Sequence, residues 1–437
     1  MKGRPDVAAL LATMILTAGC GALRAPVAQV SGLPLVSPEP IMATSAGAQV
    51  AWLWLQAQDG SPYLVAYDPG GRQVARVGAP PPSGTPGAVY GFWRSPDGAS
   101  IFVTGASTLI QLAATDGHPV RTYPLPPPAP LMGDAFSPDG RYLAWLTSRA
   151  TDQRLDVLDL RSGTWLPSAA IPHDSQAQTP GASTPASWGV PVFADDSTHV
   201  YTVTDWGGPT RISAFTVDRS GVLPLGSRVL PNFTCSGPAM AVKVIDGGAT
   251  LAAFCHFDGT VPLIDLKTLR VAALLRPRQS NPFWGSPIFT RDGRLLYVLE
   301  PGTGQVVDLE QRVIRGPFRV PTAIGDPGPL AAALSLLTQP AEAGWVATTV
   351  PLSPDGLTLY VAEPDGVMAL HVPDLTPMRK LAAGSSTSEV WVSGDGTTLY
   401  VTSGDGKTLI SMRADGTQVH RIDLPALAGG FIAAEHG

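Results

Sequence analysis

The side chains that could carry out chemistry are scattered along this sequence and form no known catalytic motif. It contains no G-x-S-x-G elbow, no H-E-x-x-H motif, no phosphate-binding Walker loop and no C-x-x-C-H haem attachment site. None of its seven histidines stands at metal-ligand spacing from another. The sequence therefore predicts no catalytic residues, no metal site and no cofactor, and a binding role is favoured over an enzymatic one.

The first of the three cysteines, Cys20, ends a segment typical of a bacterial lipoprotein signal peptide. A basic start precedes an apolar run over residues 7–18, and small residues lead into the cysteine. The run is shorter than the roughly 20 residues that span a bilayer. Leu16 lies one position further from the cysteine than in the commonest pattern, so an ordinary secretory signal is the alternative. We expect residues 1–19 to be removed and Cys20 to carry the lipid.

The other two cysteines, Cys235 and Cys255, are candidates for a disulfide bond. Cys235 precedes one predicted strand, Cys255 ends the next, and a hairpin near Gly247 would bring the two strands together. Export to an oxidising compartment favours a disulfide over the alternative, two buried thiols. Closing a loop of about 20 residues would contribute about 3 kcal/mol in the chain-entropy model. Two lone cysteines lack the paired spacing of a zinc site.

A recurring turn organises the chain and positions these residues. Ser353-Pro354-Asp355-Gly356 is followed by the apolar strand Leu359-Tyr360-Val361. Proline presets the backbone of the turn, aspartate hydrogen-bonds the following backbone, and glycine takes the positive φ. Related turns begin at Ser95, Ser137, Thr290 and Ser393, degenerate ones occupy residues 194–197 and 245–248, and a weak one occupies residues 45–48. Each of them predicts a hairpin that leads into a strand.

Each unit continues with a third apolar strand, an acidic turn and a fourth strand. The steps between the third residues of successive turns range from 40 (Asp355 to Asp395, by subtraction) to 63 (Asp292 to Asp355), around the ~40–50 residues of a propeller blade. We predict an all-β propeller of four-stranded antiparallel blades over residues 41–437, with seven blades preferred and eight as the alternative. The acids at the third-strand turns are predicted to form turns and not a catalytic pair: Asp159, Asp218, Asp265, Asp308 and Asp374.

The Ser-Pro-Asp-Gly turn with its Leu-Tyr-Val strand resembles the repeats of the bacterial YVTN, TolB-like and WD-like β-propeller superfamily. The resemblance extends over about residues 40–425, and the degenerate turns at residues 194–197 and 245–248 depart from the pattern. It implies the propeller fold. It implies no single function, because the superfamily includes scaffolds, binding proteins, lactonases and dehydrogenase subunits.

A four-stranded blade would place the loop between its second and third strands on the same face as the connection to the next blade. The long irregular connections fall on this face, which makes it the expected ligand-binding face. The alternative to ligand binding, for each residue on this face, is a structural role. Tryptophans at strand starts pack between blades, and acids in loops contact water. Trp93 and Trp391 occupy matching positions in two repeats and are predicted to be core residues. Candidate ligand contacts are His173, Trp188, Trp206, His256, Phe257, Trp284, Glu300, Trp345 and Glu363.

Composition limits the kind of partner. Only 15% of the residues are charged and the net charge is −6, which argues against nucleic-acid binding. The proline-rich residues 20–40 suggest an extended tether. We predict a monomeric lipoprotein at the outer side of a bacterial membrane that binds a protein or a small-molecule ligand. The alternative is a propeller enzyme or enzyme subunit, such as the lactonase-like hydrolase or amine-dehydrogenase-type subunit that the resemblance allows.

Overall fold

A computed structural model describes most of the chain from residue 50 onwards. The described residues all belong to one compact unit, Ser37–Gly437. Residues 1–49, with the predicted signal peptide, Cys20 and the tether, lie outside them. The described ranges are 50–56, 62–78, 92–104, 108–125, 131–148, 153–172, 188–205, 210–230, 235, 239–255, 259–278, 286–290, 292–300, 303–319, 351–363, 365–372, 374–382 and 384–431.

The described residues form eight antiparallel sheets, numbered as blades 1 to 8 in chain order. Blade 1 contains β1 (Ala51–Gln56), β2 (Pro62–Tyr67), β3 (Gln73–Gly78) and the C-terminal β32 (Leu427–Phe431). Blade 2 contains β4 (Phe92–Arg94), β5 (Ser100–Thr104), β6 (Thr108–Ala113) and β7 (Pro119–Pro124). Blade 3 contains β8 (Leu131–Phe136), β9 (Tyr142–Ser148), β10 (Gln153–Asp159), β11 (Thr164–Trp165) and β12 (Ala169–Ile171), the last two both paired with β10. Blade 4 contains β13 (Trp188–Phe193), β14 (His199–Asp205), β15 (Arg211–Asp218) and β16 (Gly221–Val229).

The second half of the chain repeats this arrangement. Blade 5 contains β17 (Ala239–Ile245), the 3₁₀ helix Asp246–Gly248, β18 (Thr250–Cys255), β19 (Val261–Asp265) and β20 (Arg270–Leu275). Blade 6 contains β21 (Ser286–Phe289), β22 (Leu295–Glu300), β23 (Thr303–Asp308) and β24 (Val313–Arg319). Blade 7 contains β25 (Thr358–Glu363), β26 (Gly366–His371) and β27 (Pro377–Leu381), with a bridge from Leu352 to Leu359 where the others have a first strand. Blade 8 contains β28 (Thr387–Val392), β29 (Thr398–Ser403), β30 (Thr408–Arg413) and β31 (His420–Asp423).

The C-terminal strand completes blade 1 and closes the ring. β32 pairs antiparallel with β1, from Leu53 opposite Phe431 to Gln56 opposite Leu427, and it also contacts β28, the first strand of blade 8. β32 therefore takes the place of a first strand. The structure is a β-propeller with eight blades, so the preferred count of seven was wrong and the alternative of eight was right. Seven clear turns gave too low a count because blade 1 takes its first strand from the opposite end of the chain.

Apolar side chains pack between every pair of neighbouring blades. On β5, Ile101 and Val103 pack against blade 1 whereas Phe102 packs against blade 3, because successive side chains of a strand point to opposite faces. Similar clusters fill the interfaces from blades 3 and 4 round to blades 8 and 1. Trp93 and Trp391 are buried in two of the clusters, which confirms that they are core residues.

Hydrogen bonds interlock neighbouring blades as well. The Trp52 indole of blade 1 donates to the Ala114 carbonyl of blade 2 at 2.7 Å. Gly117 lies directly over this indole, and a Cβ there would stand 2.9 Å from the ring. Its φ of +73° also suits glycine. Each blade is thus fixed by its two neighbours, so the ring needs no single large core.

Candidate functional site

The propeller has two faces that differ in how its strands are joined. The turn face carries the Ser-Pro-Asp-Gly turns and the third-strand turns. The connection face carries the loops between second and third strands and the connections from blade to blade. Thr387, which begins blade 8, places its hydroxyl 2.7 Å from the carbonyl of Glu363 and 2.6 Å from that of Gly366 in blade 7. These contacts place the loop between the second and third strands of blade 7 next to the connection from blade 7 to blade 8. The sequence predicted that these two kinds of loop share one face.

On the turn face, the regular turns use their own polar side chains. The Ser393 hydroxyl donates to Asp395 at 2.6 Å and accepts the Thr398 amide at 2.9 Å, and Asp395 accepts the Thr397 amide at 3.0 Å. Burial would raise the pKa of Asp395, but these hydrogen bonds lower it below its ordinary value. We call this arrangement the Ser–Asp clasp. The same clasp forms at the turns that begin at Ser95, Ser137, Thr290 and Ser353.

The acids of the third-strand turns are turn formers too. Asp265 accepts the amide and the hydroxyl of Thr268, both at 2.7 Å, and Asp374 makes the same pair of bonds with Thr376. Asp159, Asp218 and Asp308 each accept backbone amides that follow them in the chain. Their carboxylates are engaged in hydrogen bonds within their own turns. The five turns belong to different blades, so the carboxylates do not form a common site.

The connection between blades 4 and 5 is fixed by a disulfide and a buried hydrogen bond. Cys235 is bonded to Cys255, the last residue of β18, with their Cα atoms 5.1 Å apart. The Cys235 amide donates to the Thr210 hydroxyl at 2.7 Å. All three side chains are at most 1% exposed. Cys235, which lies between the two blades, is thereby bonded both to blade 4 and to blade 5.

Two more connections are fixed by buried polar side chains. Between blades 5 and 6, the Arg278 amide donates to the Gln305 side chain at 2.9 Å, and Gln305 donates back to the Arg278 carbonyl. Between blades 7 and 8, the Thr387 hydroxyl also accepts the Glu363 amide at 3.0 Å. Gln305 and Thr387 are 3% and 5% exposed. Because these side chains are buried, losing a partner would leave a polar group unsatisfied, so the bonds fix Arg278 to blade 6 and Thr387 to blade 7.

The predicted ligand contacts are only partly described. Trp188 begins β13, Glu300 ends β22 and Glu363 ends β25, and all three strand ends lie at the connection face. They belong to blades 4, 6 and 7. The remaining predicted contacts lie outside the described residues: His173, Trp206, His256, Phe257, Trp284 and Trp345.

Glu363 takes part in an ion-pair group on this face. Its carboxylate is 4% exposed and lies 2.7 Å from the Lys380 ammonium, which also contacts Asp365. Hydrogen bonds from Lys380 to Asp365 and to Glu363 raise the pKa of Lys380. Lys380 therefore holds the ends of the loop between β25 and β26 together, and the Glu363 carboxylate is occupied by that contact.

A cleft that the sequence analysis missed lies on the turn face between blades 4 and 5. Its walls are the two degenerate turns, together with His199 and Tyr201 of β14, and its volume is about 240 Å³. Ala194 and Ile245 provide no hydroxyl for a Ser–Asp clasp. The sequence could have predicted this cleft. The two degenerate turns belong to consecutive repeats, and consecutive repeats lie side by side in a ring.

Asp196 and His199 form a pair within this cleft. Asp196 accepts the amides of Thr198 and His199, both at 2.9 Å, and its second oxygen accepts the His199 ring Nδ1–H at 2.5 Å. Burial alone would raise the pKa of Asp196, but these hydrogen bonds lower it to about 2. The neighbouring Asp195 is exposed and makes no hydrogen bond or ion pair with any described residue. The cleft is therefore anionic and offers one unused carboxylate.

The part of the chain that the structure describes has neither a metal-binding cluster nor a membrane-spanning helix. These residues include no group of three or more His, Cys, Asp or Glu side chains that could hold a metal ion. They also include no helix long and apolar enough to span a membrane.

Comparisons with known proteins agree with the fold. No family model and no curated protein matches the sequence, so the resemblance to the YVTN, TolB-like and WD-like superfamily stays a prediction. Among solved structures, 1410 chains match. One is "Dihydro-heme d1 dehydrogenase NirN in complex with DHE", at 15% identity and a TM-score of 0.57, covering 98% of this chain and 86% of that chain. Another is hydrazine synthase of Kuenenia stuttgartiensis, at 14% identity and a TM-score of 0.47, covering 79% and 98%.

At 15% identity the likeness to the NirN structure concerns the fold alone, because one fold serves many functions. It therefore leaves the choice between a binding protein and an enzyme to the residues of this chain.

Proposed function

We propose that this protein is an exported, lipid-anchored propeller that binds a protein partner or ligand through its connection face. The observation that supports this most is the fixing of three blade connections on that face, by the Cys235–Cys255 disulfide, by Gln305 and by Thr387. A surface that keeps its shape loses less conformational entropy on binding. The fixed connections thus provide a rigid base for the loops they carry.

The lengths of the connections support the same choice of face. Between the flanking strands they have 13 residues (79–91), 16 residues (172–187) and 5 residues (382–386), by subtraction. Counted in the same way, the turns on the opposite face have between two (219–220) and six (414–419) residues. Variable loops on a rigid scaffold are where binding residues concentrate.

Export and anchoring are supported by two separate features. The signal-like start ends at Cys20, and a disulfide suits an oxidising compartment. A single acyl chain binds a membrane weakly, whereas several chains anchor a protein firmly. With a net charge of −6, the proposed partner is a protein or small molecule and not a nucleic acid.

Site-directed photo-crosslinking of the full chain in its membrane tests the choice of face. A photoreactive residue at Ser386, exposed in the connection between blades 7 and 8, should yield one defined adduct, as should one at Arg319 at the end of β24. The matched control is Thr397, which is exposed on the turn face of blade 8. Equal labelling from both faces, or no adduct from Ser386 and Arg319, would contradict the proposal.

Mass spectrometry of the same material tests the anchor and the enzymatic alternative. A diacylglyceryl modification on Cys20, lost in Cys20→Ser together with membrane association, is expected. An unmodified N-terminus in the mature protein would contradict lipidation. A metal ion bound in a one-to-one ratio would instead favour a lactonase-like enzyme.

A further inference from the structure

The cleft between blades 4 and 5 lies on the turn face, away from the proposed partner surface. We propose that it is a second binding site, which takes a small protonated primary amine. The inference depends on the cleft alone and would stand even if the connection face bound no partner.

The blade 5 side of the cleft is lined by two glycines, which present no side chains to it. A Cβ on Gly247 or Gly248 would meet no atom within 4 Å. At the next interface the corresponding space is filled, since a Cβ on Gly293 of blade 6 would lie 2.7 Å from Ile245 of blade 5. At the interface of blades 7 and 8, a Cβ on Gly396 would lie 3.1 Å from Pro354. Gly140 and Gly356 of two regular turns are open in the same way, so the acidic lining, and not the space alone, distinguishes this cleft.

The lining selects for a cation that donates hydrogen bonds. Asp195 and Asp196 supply two carboxylates, and no lysine or arginine is among the described lining residues. Because Asp196 accepts the Nδ1–H of His199, the other ring nitrogen, Nε2, is an acceptor in the neutral imidazole. The Tyr201 ring completes the wall, and a cation near an aromatic face is attracted by its quadrupole.

Asp195 is the residue that would hold the ligand's charge. Three regular turns have proline at this position: Pro96, Pro138 and Pro354. Asp196 is already engaged by the turn and by His199, whereas Asp195 has no partner among the described residues. An exposed carboxylate in place of a turn-forming proline contributes nothing visible to the turn, but it provides an anion at the mouth of the cleft.

The volume limits the ligand to a few heavy atoms. At about 240 Å³, the cleft is smaller than the roughly 300–1,000 Å³ of pockets that hold drug-sized ligands. An alkylammonium group of four or so carbons fits this limit. With fewer than three metal-ligating side chains grouped among the described residues, an organic cation suits the lining better than a metal ion.

Saturation-transfer NMR with butylammonium chloride tests the proposal on the purified protein. Butylammonium should bind saturably with a Kd on the order of 1 mM, and butan-1-ol, its neutral analogue, should bind at least several-fold more weakly. Asp195→Asn should weaken butylammonium binding about fivefold, the effect of losing one exposed ion pair. Asp423→Asn, which changes an exposed carboxylate in blade 8, is the control and should leave binding unchanged.

A blocking variant gives a second, independent readout. Gly247 has φ of +61°, a conformation that asparagine tolerates, so Gly247→Asn should fold and fill the cleft. It should abolish binding, whereas Gly140→Asn, at the similar φ of +67° in blade 3, should not. Binding that is unchanged in Asp195→Asn and in Gly247→Asn, or equal for the amine and the alcohol, would overturn the proposal, as would no saturable binding.

The same assay separates two sources of the ammonium group. Nα-acetyl-lysine amide carries it on a peptide side chain, and butylammonium carries it on a free amine. Equal affinities would assign the site to lysine side chains of a protein as well as to small amines. Binding of butylammonium alone would assign it to small amines.

Discussion

The Ser–Asp clasps of the turn face and the fixed blade connections of the connection face differ in how far apart along the chain their hydrogen-bonded or disulfide-bonded partners lie. On the turn face, Ser393 bonds to residues two and five positions away. On the connection face, the partners are 20 residues apart for the disulfide, 24 for Thr387 and Glu363, and 27 for Arg278 and Gln305. The Ser–Asp clasps are thus local to each turn, whereas the bonds at these blade connections link neighbouring blades. Links between blades also occur on the turn face, as between the Trp52 indole and the Ala114 carbonyl. Breaking the bonds at the blade connections should cost more than breaking a clasp.

The largest effect is expected from removing the disulfide. Replacing Cys235 and Cys255 together by alanine should lower the free energy of unfolding by about 3 kcal/mol, because the unfolded chain loses a closed loop of about 20 residues. Urea unfolding of the two proteins measures the difference. Adding a reductant to the wild type should reproduce most of the loss.

The double variant is its own control for the reductant. Its unfolding curve should be the same with and without reducing agent. A double variant as stable as the oxidised wild type would show that hydrogen bonding to Thr210 alone fixes this connection.

A smaller loss is expected at the connection of blades 7 and 8. Thr387→Val removes the hydroxyl that accepts the Glu363 amide and contacts two carbonyls, so a buried N–H is left without a partner. We expect a loss of about 2 kcal/mol, measured by urea unfolding. Native-state hydrogen exchange should also show faster exchange at the Glu363 amide.

Thr398→Val is the matched control on the turn face. Thr398 is 7% exposed, and its hydroxyl has only a 3.4 Å contact with Thr397. Its loss should therefore stay within about 0.5 kcal/mol. Equal losses in the two valine variants would show that the bonds of the Thr387 hydroxyl to blade 7 add no stability of their own.

The same difference decides what could be predicted from the sequence. The Ser–Asp clasps and the third-strand turns depend on residues within five positions of each other, so their motifs revealed them. The place of Thr387 beside Glu363 depends on how two blades pack, which no local motif encodes. The eighth blade was undercounted for the same reason, since β32 joins β1 from the other end of the chain. At the cleft, the degenerate turns were visible, but the open space beside Gly247 required the neighbouring blade.

Turns with and without the clasp should differ in how much a serine hydroxyl contributes to stability. Ser393→Ala removes a fully buried hydroxyl that accepts the Thr398 amide, and it should cost about 1 kcal/mol. In blade 4, Asp196 already accepts the corresponding amide, that of His199. Ala194→Ser should therefore change the free energy of unfolding by less than about 0.5 kcal/mol. Urea unfolding of both variants checks this, and a clear gain from Ala194→Ser would show that Asp196 replaces the missing serine poorly.

The smallest effect is expected from the charge of Asp196 as the pH falls. Its pKa is about 2 in the folded protein against the ordinary 3.8, so ionisation favours the folded state above pH 3.8 and this contribution disappears between about pH 4 and pH 2. Because the side chain is 49% exposed, solvent screening keeps the effect below about 1 kcal/mol. The difference in free energy of unfolding between the wild type and Asp196→Asn should be constant from pH 5 to pH 4 and then shrink towards pH 2. A difference that grows on acidification would mean that the neutral carboxyl is the form this turn prefers, and that Asp196 is not the anion that orients His199.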